Sequence, residues 1–166
     1  MKRPVAFFLF GVFLVLFQAS FLPHLFPLAP RPNLALIILV YLAAGVDSLW
    51  ALLWAAFTGL VFDVLSGGPF GLFSFQFLAL YIIIKGASKV LVLRHPAFRA
   101  GTVFLAHLLQ AFLFATILAF LGLPFPAEIF QVGQLLFCSF LVAFTGLPLF
   151  ILLERIDRPP LLAGLD

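Results

Sequence analysis

The sequence predicts an all-α fold: a polytopic bundle of six transmembrane helices in a single domain. Of the 166 residues, 65% are hydrophobic and only 9% are charged, and the mean hydropathy is +1.28. A soluble domain is about 45–50% apolar and about 25% charged, so water could not be the solvent of this surface. The second observation is that Pro, Gly and charged residues divide the chain into six apolar stretches.

These stretches are the predicted spans, and they are residues 5–22, 33–46, 48–65, 70–93, 102–121 and 129–153. About 20 helical residues, each rising about 1.5 Å, cross the hydrocarbon of a bilayer. Five stretches are long enough. The second is short, and is either a tilted crossing of a locally thinned bilayer or a re-entrant segment. Because the connections between stretches are short, residues 1–166 are predicted to form one domain.

The distribution of basic residues predicts the orientation. With six crossings and both termini in the cytoplasm, Arg31 is the only one of the nine Lys and Arg residues outside. That arrangement obeys the positive-inside rule. If the second stretch did not cross, the cluster from Lys85 to Arg99 would move outside and break the rule. The sequence therefore favours six crossings with both termini inside.

Charge and motifs exclude several function classes. The formal net charge is +3, but the basic residues lie between apolar runs and act as topology signals, so no nucleic-acid partner is predicted. The sequence has no HExxH, GxSxG or P-loop motif and no close pair of carboxylates. Cys138 is a lone cysteine, and no two His have metal-ligand spacing on one helix. We predict neither catalysis nor a cofactor nor a metal site.

Polar residues inside the spans form a predicted collar at the outer end of the bundle. Such residues prefer partners inside a bundle or a wet cavity. The collar comprises Gln18, Ser20, Asp63, Ser74, Gln76, Glu128, Gln131 and Gln134. His107 and Gln110 are placed apart, in the cytoplasmic half of the fifth span. For His107 an interhelical hydrogen bond is favoured over a proton relay.

Small residues at four-residue spacing mark one face of the third span. Ala51, Ala55 and Gly59 form a stripe that ends at Asp63, and such stripes let helix backbones approach closely. The turn that follows contains Gly67, Gly68 and Pro69. Two compatible interpretations of Asp63 stay open. Its carboxylate accepts hydrogen bonds from free amides of the turn, or it contacts a partner or ligand at the outer rim.

The stretch from Phe57 to Gly71, FTGLVFDVLSGGPFG, resembles the bacterial rod shape-determining membrane protein family MreD. The resemblance extends over nearly the whole chain. It includes Gln18-Ala19-Ser20 at the end of the first span and Pro32-Asn33-Leu34 at the start of the second. Family members often have Asp after that proline, and Asn33 replaces it here. If the Asp makes an ionic contact in relatives, Asn33 makes a weaker hydrogen bond.

The resemblance implies a non-enzymatic scaffold in the bacterial inner membrane, within the cell-elongation machinery. Its direct partner would be MreC. It would lie near MreB and the elongation peptidoglycan polymerase/transpeptidase complex, and membrane lipid would be a further partner. We expect a docking surface at the Asp63 rim and the third-span stripe. The candidate partner-binding residues are Asp63, Gly59, Ala55, Ala51, Gly67, Gly68, Pro69, Gln18, Asn33, Gln76, Gln131 and Gln134.

The alternative is a substrate-binding subunit similar to that of energy-coupling-factor vitamin transporters. That family also has six helices and an outward pocket, which the polar collar would suit. Its first helix commonly carries an Ala-x-x-x-Ala face, whereas the first span here has Phe7, Phe8, Phe13 and Phe17 instead. The two Trp residues also fall near the cytoplasmic end of the third span. The scaffold is therefore the favoured interpretation.

Overall fold

The computed structural model describes residues 4–20, 33–45, 49–66, 69–88, 96–123 and 132–157. These ranges contain six α-helices and no strand, which confirms the all-α prediction. The helices are α1 Pro4–Ser20, α2 Leu34–Gly45, α3 Leu49–Ser66, α4 Leu72–Ser88, α5 Pro96–Phe120 and α6 Val132–Asp157. Each falls on one predicted span.

Three helices are long and apolar enough to cross a membrane by themselves: Leu49–Ser66, Phe98–Phe120 and Val132–Arg155. The described parts of the other three are shorter apolar segments, namely Phe8–Gln18, Leu34–Ala44 and Leu72–Ser88. Large apolar side chains on the outer faces of the bundle are exposed, among them Phe120 at 90%. Such a surface suits lipid and is unfavourable in water. The count of six crossings and the direction of the termini remain predictions.

Helix α2 forms the centre of the bundle. Its residues from Ala35 to Val40 are at most 1% exposed, and it packs against each of the other five helices. A helix that is apolar on every face is stable only when it is enclosed. Its 12 residues span about 18 Å, less than the thickness of the hydrocarbon. Helix α2 is therefore a core element that the longer helices surround.

Helices α3 and α4 form an antiparallel hairpin with direct backbone contact. A Cβ added at Gly59 would lie 2.3 Å from Ser74 Cα and 2.8 Å from the carbonyl oxygen of Phe73. The ring of Phe62 stacks on Phe77 at 5.7 Å between centroids. Only glycine allows two helix axes to approach this closely. The position of Gly59 therefore determines where the start of α4 lies against α3.

Helices α5 and α6 are also antiparallel. Arg99 near the start of α5 forms an ion pair with Glu154 near the end of α6, and its guanidinium lies 5.7 Å from the centroid of the Phe150 ring. Helix α5 begins at Pro96, six residues before the predicted start at 102. Proline suits the first helical position because the amide there has no intrahelical acceptor.

Candidate functional site

Asp63 is buried near the end of α3 and is bonded to the first turn of α4. Its side chain is 2% exposed. The amide of Phe73 donates to Oδ1 at 2.8 Å, and the amide of Ser74 donates to Oδ2 at 3.2 Å. The Ser74 hydroxyl also donates to Oδ2, at 2.6 Å. All three donors belong to the same helix start.

This arrangement replaces a missing helix cap. The residue before α4 is Gly71, which has a φ of 93° and no side chain to accept a bond. The first amides of a helix have no intrahelical acceptor, and a side-chain oxygen normally satisfies the second or third of them. Phe73 and Ser74 are the second and third residues of α4. Asp63 thus caps α4 from a different helix.

The small-residue stripe of α3 lies inside the bundle. Ala51 and Ala55 are fully buried, and Gly59 is buried against the backbone of Ser74. The stripe and Asp63 are therefore brought together on the face of α3 that packs within the chain. The resulting contacts join α3 to other helices of the same protein.

The turn that leads into α4 is exposed. Pro69 lies on the surface, and the side chain of Phe70 is 77% exposed. Gly67 and Gly68, which were also predicted here, lie outside the described residues. The buried carboxylate of Asp63 therefore holds the start of the helix that follows the exposed side chain of Phe70.

A second feature is an open cavity of about 420 Å³ between α1, α2, α4, α5 and α6, whose accessible lining is mainly apolar. Its polar lining residues are Gln18, Asn33, Gln76, His107, Gln110, Gln134 and Cys138, and its apolar lining residues are Phe73, Ala111, Phe114 and Leu135. Phe73 and Phe114 stack on one another at 5.8 Å between ring centroids. The size is within the range of small-molecule sites, about 300–1,000 Å³.

Amide side chains at the start of α2 connect three helices beside this cavity. Gln18 Oε1 accepts the amides of Leu34 and Ala35 at 2.8 and 3.3 Å. Asn33 Oδ1 accepts the amide of Leu36 at 3.2 Å, while its Nδ2 donates to Gln110 Oε1 at 3.0 Å. Because the free amides at the helix start fix the acceptor atoms, each side-chain amide has a defined orientation.

Two polar side chains of the lining differ in their hydrogen bonds: Gln76 has one unpaired atom, whereas His107 is held by its partner. Gln76 is 1% exposed; its Nε2 donates to the carbonyl of Gln110 at 2.6 Å, and its Oε1 has no partner among the described residues. His107 Nδ1 lies 2.9 Å from Ser139 Oγ, and Ser139 donates its hydroxyl proton to the carbonyl of Leu135 at 2.8 Å. The predicted interhelical hydrogen bond of His107 is thus confirmed.

The structure brings part of the predicted collar together in one cavity, and other residues line the same cavity. Gln18, Asn33, Gln76 and Gln134 line the same cavity, while Gln131 lies outside the described residues. Asp63, Gly59, Ala55 and Ala51 are not among the cavity's lining residues. The expectation that His107 and Gln110 lie apart from the collar was wrong. The earlier start of α5 places them near the middle of that helix, about 16 Å or more from its beginning.

Among the described residues, no group of three or more His, Cys, Asp and Glu residues is placed to hold a metal ion. A family model described as rod shape-determining protein MreD matches residues 1–156. No curated protein and no solved structure matches the chain. The family match does not support the alternative of a vitamin-transporter subunit.

Proposed function

The chain belongs to the MreD family of rod shape-determining proteins, and on that premise we propose that it is a non-enzymatic scaffold of the cell-elongation machinery. In this proposal it lies in the bacterial inner membrane with six crossings and both termini in the cytoplasm. It docks MreC directly and couples it to MreB and to the elongation peptidoglycan polymerase/transpeptidase complex. The family match over 156 of 166 residues supports this assignment most strongly.

We place the MreC contact at the turn before α4, residues 67–71, and call it the docking turn. The observation that carries this placement is the pairing of an exposed tip with a buried anchor. Phe70 is 77% exposed. Asp63 accepts three hydrogen bonds from Phe73 and Ser74, in the first turn of α4. An aromatic side chain held on a fixed backbone is a typical anchor of a protein interface.

Asp63 and the stripe then act on the partner indirectly. Gly59 keeps α3 and α4 in backbone contact, and Asp63 holds the first turn of α4 in place. Together they determine the position of Pro69 and Phe70 relative to the membrane. The contact residues themselves are the docking turn, including Gly67 and Gly68.

Co-purification of MreC with tagged protein from native membranes tests the docking turn. Phe70→Ala should weaken the association with MreC by about thirtyfold and lower its recovery accordingly, since interface aromatics contribute about 2 kcal/mol or more. Asp63→Leu should also lower it, because the turn loses its anchor. The matched control is Phe120→Ala, which removes an even more exposed ring at the end of α5. If Phe70→Ala retains as much MreC as the control, the docking turn is not the contact.

A further inference from the structure

The cavity has hydrogen-bonding capacity that the described residues do not use. Gln76 Oε1 is a buried acceptor without a partner in the part of the chain that the structure describes. The Nε2 of Gln110 and the side-chain amide of Gln134 make no hydrogen bond with a described residue, whereas Gln110 Oε1 accepts from Asn33. A buried polar atom that is left unpaired is unfavourable by a large part of its desolvation penalty, and this penalty applies to Gln76 Oε1, since Gln110 is half-buried and Gln134 is exposed. The cavity therefore favours an occupant with hydrogen-bond donors and acceptors.

The tautomer of His107 adds a second acceptor. Ser139 has one hydroxyl proton and donates it to the carbonyl of Leu135. In the contact between Ser139 Oγ and His107 Nδ1, the proton consequently comes from Nδ1. A neutral imidazole that is protonated at Nδ1 has a lone pair at Nε2. His107 and Gln76 thus both provide acceptors in the lining of the cavity, so the occupant must donate.

The charge of the lining determines the class of occupant. The described lining residues include no Lys, Arg, Asp or Glu, so among these residues neither an anion nor a cation finds an opposite charge. Burying an unpaired charge is strongly unfavourable. The stacked rings of Phe73 and Phe114 offer an apolar wall beside the amides. Neutral molecules that combine hydroxyl groups with an apolar ring face match this set of groups.

We propose that this cavity is a binding site for an uncharged, hydroxyl-bearing ligand of the sugar type, either a neutral glycolipid headgroup or a free sugar. Hydroxyl groups donate to Gln76 Oε1 and His107 Nε2 and accept from the amides of Gln110 and Gln134. The ring face of the ligand packs on Phe73 and Phe114. This inference does not depend on MreC docking, because Pro69, Phe70 and Gly71 are not among the described residues that line the cavity.

Retention of a glucosyl lipid by the full chain tests the proposal. The protein is placed in phosphatidylcholine nanodiscs that contain monoglucosyl diacylglycerol or, in separate discs, phosphatidic acid. It is then released into a detergent without a sugar headgroup, and bound lipid is read by native mass spectrometry. A third arm adds free methyl glucoside to discs of phosphatidylcholine alone. Selective retention of the glucosyl lipid indicates a lipid source, and retention of methyl glucoside indicates a soluble one.

Three variants make the result specific to the cavity. Ala111→Phe fills the space without removing a hydrogen bond and should abolish retention of the glucosyl ligand. Gln76→Leu removes the unpaired acceptor together with the hydrogen bond from Nε2 to the carbonyl of Gln110, and should weaken ligand binding about tenfold, the equivalent of one hydrogen bond to the ligand. Thr116→Val is the control, because Thr116 is exposed on α5 and bonds only within that helix. It should bind as the natural protein does.

Three outcomes would overturn the proposal. The natural protein retains neither glucosyl probe, which means that the cavity holds only water. Phosphatidic acid is retained as well as the glucosyl lipid, which means that neutrality is not selected. Ala111→Phe retains the ligand as well as Thr116→Val does, which means that binding takes place elsewhere.

Discussion

Asp63 is a carboxylate inside an apolar helix, a position that is unfavourable unless hydrogen bonds compensate for the lost water. Here the compensation comes from the two amides and the hydroxyl at the start of α4. The positive end of the α4 dipole favours the same negative charge. Asp63, which the sequence indicates as a candidate partner-binding residue, therefore holds the start of α4 in place.

Replacement of Asp63 should therefore lower the stability of the protein. Asp63→Leu leaves two helix amides without an acceptor and should lower the free energy of unfolding by about 2 kcal/mol. Asp63→Asn keeps one acceptor oxygen and should lower it by a smaller amount. Unfolding in mixed detergent micelles, followed by circular dichroism, measures both. Val64→Ala, at an exposed neighbouring position, is the control, and equal stability of Asp63→Leu and this control would contradict the cap.

The residues that line the cavity show how much of this site the sequence predicts. Helix order and charge predicted that Gln18, Gln76 and Gln134 lie at the same end of the bundle, and these side chains line one cavity. The inclusion of His107 did not follow, because the start of α5 was placed six residues late. Pro96 was the available signal, since proline is favoured at the first helical position.

At the scale of elements, the hairpin of α3 and α4 depends on one close backbone approach. Gly59→Ala places a methyl group 2.3 Å from Ser74 Cα, so the helices must separate. We expect a loss of about 1–3 kcal/mol in the free energy of unfolding, the usual range for an overpacked contact. The matched control is Gly101→Ala in α5, where an added Cβ meets nothing within 4 Å. That control should be neutral or slightly stabilising.

Helix α2 illustrates why the arrangement of elements is harder to predict than their bounds. Its predicted range of 33–46 begins one residue before the helix Leu34–Gly45, because Asn33 caps the start. Its central position was not predictable in the same way. In a membrane protein, an apolar residue is compatible with both lipid and the interior, so hydropathy alone does not distinguish an enclosed helix from an outer one.

At the scale of the whole molecule, the direction of the chain across the membrane is the next prediction. The end of the bundle that contains Lys85, Arg99 and Glu154 is opposite the end that contains Asp63 and Phe70. The positive-inside rule places the end with the basic residues in the cytoplasm. A fluorescent protein that folds only in the cytoplasm, fused after residue 166, should be bright. An alkaline phosphatase fused at the same point should be inactive. The reverse pattern would refute the orientation.

The proposed interface requires that the docking turn touches MreC. The most direct measurement replaces Phe70 with a photo-crosslinking phenylalanine analogue in native membranes and identifies the products with an antibody to MreC. The same analogue at Phe144, an exposed position in the middle of α6, is the comparison. We predict a crosslink to MreC from position 70 and none from position 144. A crosslink from 144 alone, or none from 70 in protein that still co-purifies with MreC, would contradict the proposed interface.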